Sequence, residues 1–310
     1  MRVLITGGNG FIGENLNLKL QDRGVEVILI KREQWDGSDN FLFLNNLLSD
    51  GVESTFVHLS AIADVRICEE DYDLCKKVNV DQLESLLENL SMSNISNFIF
   101  ASSMAVYGDT GKEAVSEGST LSFNSKYGES KIIGENLIRE WSVKNNKTAL
   151  SFRIANLYGY RVGGEIHSKG VVSYLIKELS KGERVTLEVS NITYQSAKRD
   201  FVNVLDCVEL LIRGIFYKEY LFETTPIEGK FNCFNLAQGE GIEILKIAEF
   251  LAKYFKFEGC INIKFSENIF NGVGANDKVW EVFNWRTSRL FFEDLTSMAD
   301  SYRGGIGLES

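Results

Sequence analysis

A short apolar strand that runs directly into a glycine-rich loop opens the chain. Residues 3–5 are Val-Leu-Ile, and glycines follow at positions 7, 10 and 13. Glycine permits the sharp turn from strand to helix and lets backbone N–H groups approach phosphate oxygens closely. The next stretch reads as a helix, and residues 25–30 read as a second strand. This order of strand, loop, helix and strand predicts a βαβ unit that binds a dinucleotide.

The bulk composition is that of an ordinary globular protein. The 310 residues exceed one typical domain, and 44% of them are apolar and 25% charged. No stretch approaches the roughly 20 apolar residues of a membrane span, and the N-terminus enters its first strand without a secretory signal. The net charge of −10 and the absence of a basic tract disfavour nucleic acid as a partner. We therefore predict a cytoplasmic protein that binds neither membrane nor nucleic acid.

The five cysteines are odd in number and scattered along the chain. They are Cys68, Cys75, Cys207, Cys233 and Cys260. A disulfide framework or a zinc site needs paired or closely spaced cysteines. The sequence therefore predicts buried thiols and no metal site.

Strand-like and helix-like segments alternate through the first half of the chain, a pattern typical of a doubly wound parallel sheet. The predicted strands are residues 55–59, 98–102, 148–154, 185–189, 201–204 and 232–236; the predicted helices are residues 79–90, 127–144, 171–181 and 243–255, and residues 223–230 read as a connection. We predict an α/β protein with a Rossmann-like sheet in residues 1–160, to which a segment near 199–216 returns. A smaller mixed α/β substrate-binding lobe is predicted to occupy most of residues 161–310.

Tyr127 and Lys131 are a candidate acid–base pair. They lie four residues apart on a predicted helix, so their side chains project from the same face. An ammonium group beside a phenol, whose ordinary pKa is about 10, favours the ionised phenolate. Such a tyrosine can exchange a proton with a carbinol or carbonyl oxygen while hydride moves on the carbon.

The position along the chain distinguishes this pair from others with the same spacing. Tyrosines at positions 72 and 194 also have a lysine four residues later. Only Tyr127 begins a long helix after a strand that ends in hydroxyl groups, residues 98–103. Because the carboxyl ends of parallel strands face the ligand crevice, we expect Ser103 to donate a hydrogen bond to the same substrate oxygen.

Seven short sequence blocks lie in order over most of the chain. They are residues 6–13, 58–61, 79–80, 102–108, 127–131, 153–159 and 199–206. Together they resemble the extended short-chain dehydrogenase/reductases, the family of nucleotide-sugar epimerases, dehydratases and reductases. The resemblance implies that Tyr127 is the acid–base, that Lys131 holds the nicotinamide ribose and tunes Tyr127, and that Ser103 is the third catalytic residue. The cofactor-binding residues that it implies are Gly7, Gly10, Phe11, Ile12, Gly13, Leu59, Ser60, Ala61, Tyr127 and Lys131.

The same resemblance implies a substrate site. Asn156 would contact the phosphate or sugar region of a nucleotide sugar, and Arg199 would bind its diphosphate. Dehydratases of the family carry an Asp-Glu pair directly after the catalytic hydroxyl, where this chain has Met104 and Ala105. Met104 would therefore contact the substrate without transferring a proton. We expect no dehydration, which leaves hydride exchange as a net reduction or an epimerisation.

Two cations after the second strand bear on the choice of cofactor. NAD-binding folds place an acid there for the ribose hydroxyls, whereas a 2′-phosphate calls for cations. This chain has Lys31 and Arg32. A solvated surface pair is the alternative interpretation. The missing acid favours NADP(H), with NAD(H) as the other possibility.

Several residues near the predicted site keep two interpretations. Relatives carry a second diphosphate-binding arginine where this chain reads Asn-Gly-Val-Gly at residues 271–274. Arg286 or Arg289 is a substitute or, equally, a surface cation. His58 and His167 are expected to be a structural histidine and a simple loop residue.

The resemblance implies an NADPH-dependent reductase of a nucleotide-linked 4-keto-6-deoxyhexose in surface-polysaccharide sugar synthesis, since the family's NADP-using members are net reductases. The alternative is a nucleotide-sugar 4-epimerase that retains NAD. A non-catalytic NADP(H)-binding sensor is a further alternative, but it has no need of Ser103, Tyr127 and Lys131 together. The family also implies a homodimer.

Overall fold

A computed structural model describes residues 1–34, 41–91, 93–111, 113–216, 230–267 and 269–303. The strands are β1 (Arg2–Thr6), β2 (Glu26–Ile30), β3 (Ser54–His58), β4 (Ile95–Ser103), β5 (Thr148–Ile154), β6 (Asn156–Tyr158), β7 (Val185–Ser190), β8 (Lys198–Asn203), β9 (Phe231–Leu236), β10 (Gly241–Glu243) and β11 (Ile261–Ser266). The α-helices are α1 (Phe11–Asp22), α2 (Phe41–Leu47), α3 (Val65–Glu70), α4 (Tyr72–Lys76), α5 (Gln82–Leu90), α6 (Lys126–Lys144), α7 (Val171–Ser180), α8 (Val204–Ile215), α9 (Ile244–Phe255), α10 (Asp277–Phe283) and α11 (Phe291–Arg303).

Six parallel strands form the central sheet, in the order β2-β1-β3-β4-β5-β9. All five residues of β1 and of β3 are buried, as expected of strands whose two faces are both covered by helices. The chain leaves β1 for β2 on one side and returns to β3 on the other, so the order of the sheet reverses between β1 and β3. Ligands of such sheets bind at this point, outside the carboxyl ends of the strands. The predicted Rossmann-like α/β fold is confirmed.

Helix α6 carries the predicted acid–base pair and is fixed at both its start and its middle. The Ser125 hydroxyl accepts a hydrogen bond from the Gly128 N–H at 3.1 Å and caps the first turn. Farther along, a Cβ atom at Gly134 would lie 2.9 Å from the ring of Phe100 on β4. The missing side chain therefore allows the helix to pack closely against the sheet.

Part of the second half of the chain packs around a second apolar core, and we call this part the second lobe; α8 and α10 instead pack in the core of the central sheet. Leu175, Ile176, Leu251 and Leu295 are among the buried residues of the second lobe. Two small sheets belong to this part: β10-β8-β6, and the parallel pair β11-β7. Strand β9 instead pairs with β5 in the central sheet, so the chain returns there beyond the predicted segment near 199–216.

The sequence predicts no membrane span and a connection at residues 223–230. Among the described helices, none combines the length and the apolar character that a membrane crossing needs. Of the predicted connection at residues 223–230, residues 223–229 lie outside the described part of the chain.

The prediction that the cysteines are all buried thiols is wrong. Cys68 and Cys75 form a disulfide with their Cα atoms 5.0 Å apart, because the short helices α3 and α4 meet at Asp71, which caps α4. The two cysteines are seven positions apart along the chain, a spacing that does not by itself indicate this bend. Cys260 is only partly buried, whereas Cys207 and Cys233 are buried.

Candidate active site

The glycine-rich loop after β1 forms a tight cradle at the carboxyl edge of the sheet. Gly7 has a φ of +72°, and a Cβ atom there would lie 2.8 Å from the backbone nitrogen of Ser60. A Cβ atom at Gly13 would overlap the carbonyl oxygen of Gly7. Gly10 precedes α1 and offers no side-chain cap, so the first N–H groups of α1, at Phe11 and beyond, are open to an anion. These residues fit the diphosphate of a dinucleotide.

The loop after β3 lies against this cradle. The Leu59 N–H donates to the Thr6 carbonyl at 3.2 Å, so β1 and β3 leave the sheet side by side. The Ser60 backbone packs so closely on Gly7 that a side chain at Gly7 would not fit, and the next residue, Ala61, is half-buried. The predicted cofactor-binding residues of the two loops are thus neighbours in space.

Lys31 and Arg32 lie at the same edge. Ile30, the last residue of β2, pairs with Thr6 at the end of β1, and the two cations follow immediately. Both side chains are exposed. The Lys31 N–H donates to the Gln34 side chain at 2.8 Å, which closes a short turn after the strand. Both cations lie where the sequence predicts, after the second strand, and their role in cofactor choice stays a prediction.

His58 has a structural environment, as expected. Its Nδ1 atom lies 2.9 Å from the Thr6 hydroxyl, and the ring is buried. Burial, and then the neighbouring charge of Lys131, lower the pKa of His58 to about 3. The imidazole is therefore neutral at physiological pH and joins the ends of β1 and β3.

The three predicted catalytic residues come together at the carboxyl end of β4. Ser103 is the last residue of β4; its hydroxyl accepts a hydrogen bond from the Ala105 N–H at 3.2 Å and lies beside the Tyr127 phenol, whose pKa it lowers. Lys131 is buried, and its Nζ atom donates to the Ala101 carbonyl at 2.8 Å. The same Nζ lies 5.7 Å from the centre of the Tyr127 ring. The predicted grouping is present, with the lysine anchored to the strand beside the phenol.

The protonation states differ from the expectation that Lys131 lowers the pKa of Tyr127. Burial raises the pKa of Tyr127 to about 12, while the hydrogen bond with Ser103 acts in the opposite direction. Burial also lowers the pKa of Lys131 to about 8, against the opposing charge of Glu135. The reason is that both groups lie in a poorly solvated environment, which disfavours either charge. Tyr127 is a protonated phenol at neutral pH.

Asn79 connects the loop after β3 to α6, a role that its sequence position does not reveal. Its side-chain oxygen accepts from the Ile62 N–H at 2.8 Å, and its Nδ2 atom donates to the Ile62 carbonyl at 3.1 Å. The same Nδ2 lies 3.1 Å from the Ser130 hydroxyl, next to Lys131. One buried amide therefore positions the loop after β3 relative to the acid–base pair.

A buried ion pair anchors α6 to β5. Arg153 donates to the two Glu135 oxygens at 3.0 and 2.7 Å, and the two side chains are only 3% and 1% exposed. Glu135 lies one helical turn after Lys131. Arg153 also donates to the Tyr107 hydroxyl at 2.7 Å. The sequence indicates the placement of Glu135, since this residue shares a helix face with Lys131.

The predicted substrate residues lie on neighbouring elements. Met104 is buried, and a Cβ atom at Gly274 would come 2.9 Å from its terminal methyl group. Asn156 on β6 is exposed and donates to the Asp200 carbonyl at 3.1 Å. Arg199 on β8 donates to the backbone carbonyls of Lys198 and Phe270. Burial lowers the pKa of Arg199.

The segment in which relatives carry a second arginine lies beside Arg199. Gly272 forms an isolated bridge with Arg199, so residues 271–274 occupy the expected place without supplying a cation. Arg286 stacks on the Trp280 ring at 4.4 Å, and the Nη1 atom of Arg289 lies 3.7 Å from Asp294. Both arginines are exposed and engage neighbours of their own.

His167 differs from the simple loop residue that the sequence predicts. Its ring stacks on Phe11 with centroids 3.9 Å apart and planes 6° from parallel. Burial, followed by the charges of Arg161 and Lys169, lowers the pKa of His167 to about 4. A loop of the second lobe therefore reaches the glycine-rich cradle.

The chain matches one known protein family in sequence and several solved structures in fold. The sequence model of the NAD dependent epimerase/dehydratase family matches residues 3–216. A UDP-glucose 4-epimerase from Thermus thermophilus, in complex with NAD, is 23% identical, with 98% of this chain and 100% of that chain covered and a TM-score of 0.78. MoeE5 in complex with UDP-glucose and NAD is 21% identical, with 99% and 100% covered and a TM-score of 0.81.

A dehydratase has a similar fold as well. DesIV, a dTDP-glucose 4,6-dehydratase from Streptomyces venezuelae with NAD bound, is 18% identical, with 98% of both chains covered and a TM-score of 0.78. At these identities the likeness shows the fold, while the family match spans well over half of the sequence. The chain therefore belongs to the NAD dependent epimerase/dehydratase family.

Proposed function

We propose that this protein reduces the C4 keto group of a nucleotide-linked 4-keto-6-deoxyhexose with NADPH. The observation that carries the proposal is the convergence of Ser103, Tyr127 and Lys131 at the carboxyl end of β4. Asn79 connects this group to the loop beside the glycine-rich cradle. A bound nicotinamide dinucleotide supplies the hydride, and residues 7–13 and 59–61 would hold it.

The protonation state of Tyr127 supports the reductive direction. Reduction of a carbonyl produces an alkoxide that needs a proton, and a phenol with a pKa of about 12 carries that proton at neutral pH. Ser103 lies beside the phenol and would orient the same oxygen. Lys131 lies one helical turn along α6 and offers an ammonium group.

The residues after Ser103 argue against water elimination. Removal of water across two carbons needs groups that take and return protons, and carboxylates serve this purpose in the family's dehydratases. Here Met104 is buried and Ala105 is half-buried. Neither side chain can transfer a proton. We therefore expect this chain not to catalyse dehydration, although its fold is similar to that of DesIV.

The substrate assignment is supported by Arg199 and by the family. A chain with a net charge of −10 needs a local cation for a diphosphate, and Arg199 lies half-buried beside Asn156 on adjacent strands. MoeE5, which has a similar fold, binds UDP-glucose in one structure and UDP-glucuronic acid in another. We extend this ligand class, a nucleotide-linked hexose, to the present chain. Cytoplasmic location and a homodimer belong to the same proposal.

A 4-epimerase is the second candidate, because several similar structures are UDP-sugar 4-epimerases, among them the UDP-N-acetylglucosamine 4-epimerase of Bacillus cereus. An epimerase returns the hydride that it removes, so it consumes no net reductant. The same three residues would serve it, provided that Tyr127 also acts as a base.

The test combines the purified protein with NADPH, then with NADH, and a nucleotide-linked 4-keto-6-deoxyhexose. Stoichiometric loss of reduced nicotinamide absorbance with formation of the 4-hydroxy sugar supports the reductase. Interconversion of UDP-glucose and UDP-galactose without added reductant, with NAD released on denaturation, would replace it by the epimerase. A series of substrates that differ only in the nucleotide then identifies which nucleotide the protein prefers.

A further inference from the structure

A hairpin of the second lobe lies across the glycine-rich cradle. Residues 159–170, between β6 and α7, form this hairpin, which we call the strap. The Nη2 atom of Arg161 lies 2.5 Å from Glu14 Oε2 and 3.3 Å from the Asn9 carbonyl oxygen. The Val162 N–H donates to the other Glu14 oxygen at 3.2 Å. The strap therefore contacts both the loop after β1 and the first turn of α1.

A second contact lies at the other end of the strap. The His167 ring stacks on Phe11, the first residue of α1, at 3.9 Å. Its Nδ1 atom is buried and has no hydrogen-bond partner among the described residues. A buried polar nitrogen without a partner is unfavourable. Since the open N–H groups of α1 begin at Phe11, an anion bound there would lie close to this imidazole.

The charges around the strap suit an anionic ligand. Glu14 lies in the first turn of α1, where its carboxylate interacts favourably with the helix dipole but repels a bound diphosphate. Arg161 engages that carboxylate, with side chains 35% and 18% exposed. Arg161 and Lys169 also place positive charge near His167. The strap thus brings two cations, Arg161 and Lys169, near His167, and it carries one acid of its own, Glu165, besides the Glu14 carboxylate that Arg161 engages.

The strap is a self-contained unit anchored in the second lobe. Tyr160 and Ile166 form an antiparallel bridge, and the Arg161 N–H donates to the Glu165 carbonyl at 2.7 Å. Gly163, with a φ of +104°, makes the turn. Ile166 is buried in the apolar core of the second lobe. The side chains of the strap therefore join the two lobes beside the glycine-rich loop.

We propose that the strap closes over the bound dinucleotide and slows its release, with the Arg161–Glu14 ion pair and the His167–Phe11 stack as its latches. The His167 imidazole is its polar contact with the diphosphate of the cofactor. The proposal rests on the proposed use of a nicotinamide dinucleotide, but only on its binding and not on any reaction.

The test measures the rate of NADPH dissociation from the intact chain by stopped-flow displacement, followed by ligand fluorescence. Arg161→Ala removes the ion pair and should release NADPH about tenfold faster, as expected for the loss of a charge-assisted contact. His167→Phe keeps an aromatic stack on Phe11 but lacks the nitrogen, and we expect release about fivefold faster. Ser168→Ala, an exposed residue of the strap, is the matched control and should leave the rate unchanged.

Circular dichroism and thermal melting verify that each variant is folded. If Arg161→Ala does not fold, Arg161→Gln, which keeps a polar side chain but removes the charge that pairs with Glu14, replaces it. Wild-type release rates in Arg161→Ala or its replacement would overturn the latch. A wild-type rate in His167→Phe alone would overturn the diphosphate contact. A wild-type chain that bound neither NADPH nor NADH would overturn the proposed function itself, and the strap with it.

Discussion

At the scale of single residues, the site depends on what burial does to three titratable groups. Tyr127, Lys131 and His58 lie together at the carboxyl ends of β3 and β4, and poor solvation shifts the pKa of each in favour of its neutral form. The chemistry of each is readable from its residue type. The direction of the Tyr127 shift was not, because a spacing of four residues reveals the neighbour but not how little water surrounds the pair.

Lys131 gives a stability prediction with a defined sign. Its folded-state pKa of about 8 lies below its ordinary value of 10.5, so the folded chain binds fewer protons than the unfolded chain between these values. The free energy of unfolding therefore rises with pH from about 8 to 10.5. Below pH 8 the cost of burying the charged amine lowers the free energy of unfolding by its full amount. In Lys131→Met this contribution is absent.

Urea unfolding at several pH values measures the difference between the two proteins. The wild-type protein should gain stability relative to Lys131→Met across this window. A constant difference from pH 7 to pH 11 would show that the pKa of the Lys131 amine is not depressed.

Lys31 and Arg32 give a prediction about cofactor preference. If they bind the 2′-phosphate, Lys31→Ala combined with Arg32→Ala should weaken NADPH binding by about 10- to 100-fold, as for the loss of one or two charge-assisted contacts. NADH lacks that phosphate, so its affinity should stay within about twofold. Fluorescence titration of both ligands tests this. Equal weakening for the two cofactors would contradict the assignment.

At the scale of elements, local signals predicted most of the framework. Strand β5 has the predicted bounds, since an apolar run is framed by turn residues, and α6 begins within one residue of the prediction because Ser125 caps it. The predicted helix at 79–90 instead begins with a π-helical segment, Lys77–Asp81. There the Asn79 side chain turns toward Ile62, a tertiary contact that periodicity does not encode.

Non-local contacts were beyond the reach of the sequence. The β7–β11 pair joins segments more than 70 residues apart, and β11 has no fully buried position to mark it as a strand. The strap contacts, Arg161 with Glu14 and His167 with Phe11, join two lobes. Single loop residues of this kind carry no periodic signal.

The Glu135–Arg153 pair predicts how firmly α6 is attached to β5. Glu135→Ala leaves the Arg153 guanidinium buried without its main partner, and removal of one member of such a pair lowers the free energy of unfolding by about 3–5 kcal/mol. The matched control is Glu140→Ala, an exposed glutamate on the same helix, for which we expect a change within about 0.5 kcal/mol.

Denaturant unfolding of both variants gives these free energies. Similar values for Glu135→Ala and Glu140→Ala would mean that the buried pair does not stabilise the attachment of α6. A loss of stability in Glu135→Ala alone would agree with the buried contacts at 2.7 and 3.0 Å.

At the scale of the whole molecule, two lobes and the topology of the sheet produce one site. The reversal of strand order between β1 and β3 brings the glycine-rich loop to the crevice, β4 contributes Ser103, and α6 contributes Tyr127 and Lys131. The second lobe adds Arg199 and the strap. The glycine loop and the acid–base pair were predictable from sequence because each is a local motif, whereas the enclosure of the crevice depends on how the lobes pack.

The most direct measurement of the central claim is single-turnover oxidation of bound NADPH by a nucleotide-linked 4-keto-6-deoxyhexose, in the wild-type protein and in Tyr127→Phe. We expect a rate about 10²- to 10⁴-fold lower in the variant, as for the loss of a general acid, with NADPH affinity within about twofold. An equal rate in the two proteins would contradict the assignment of Tyr127 as the proton donor and, with it, the proposed site.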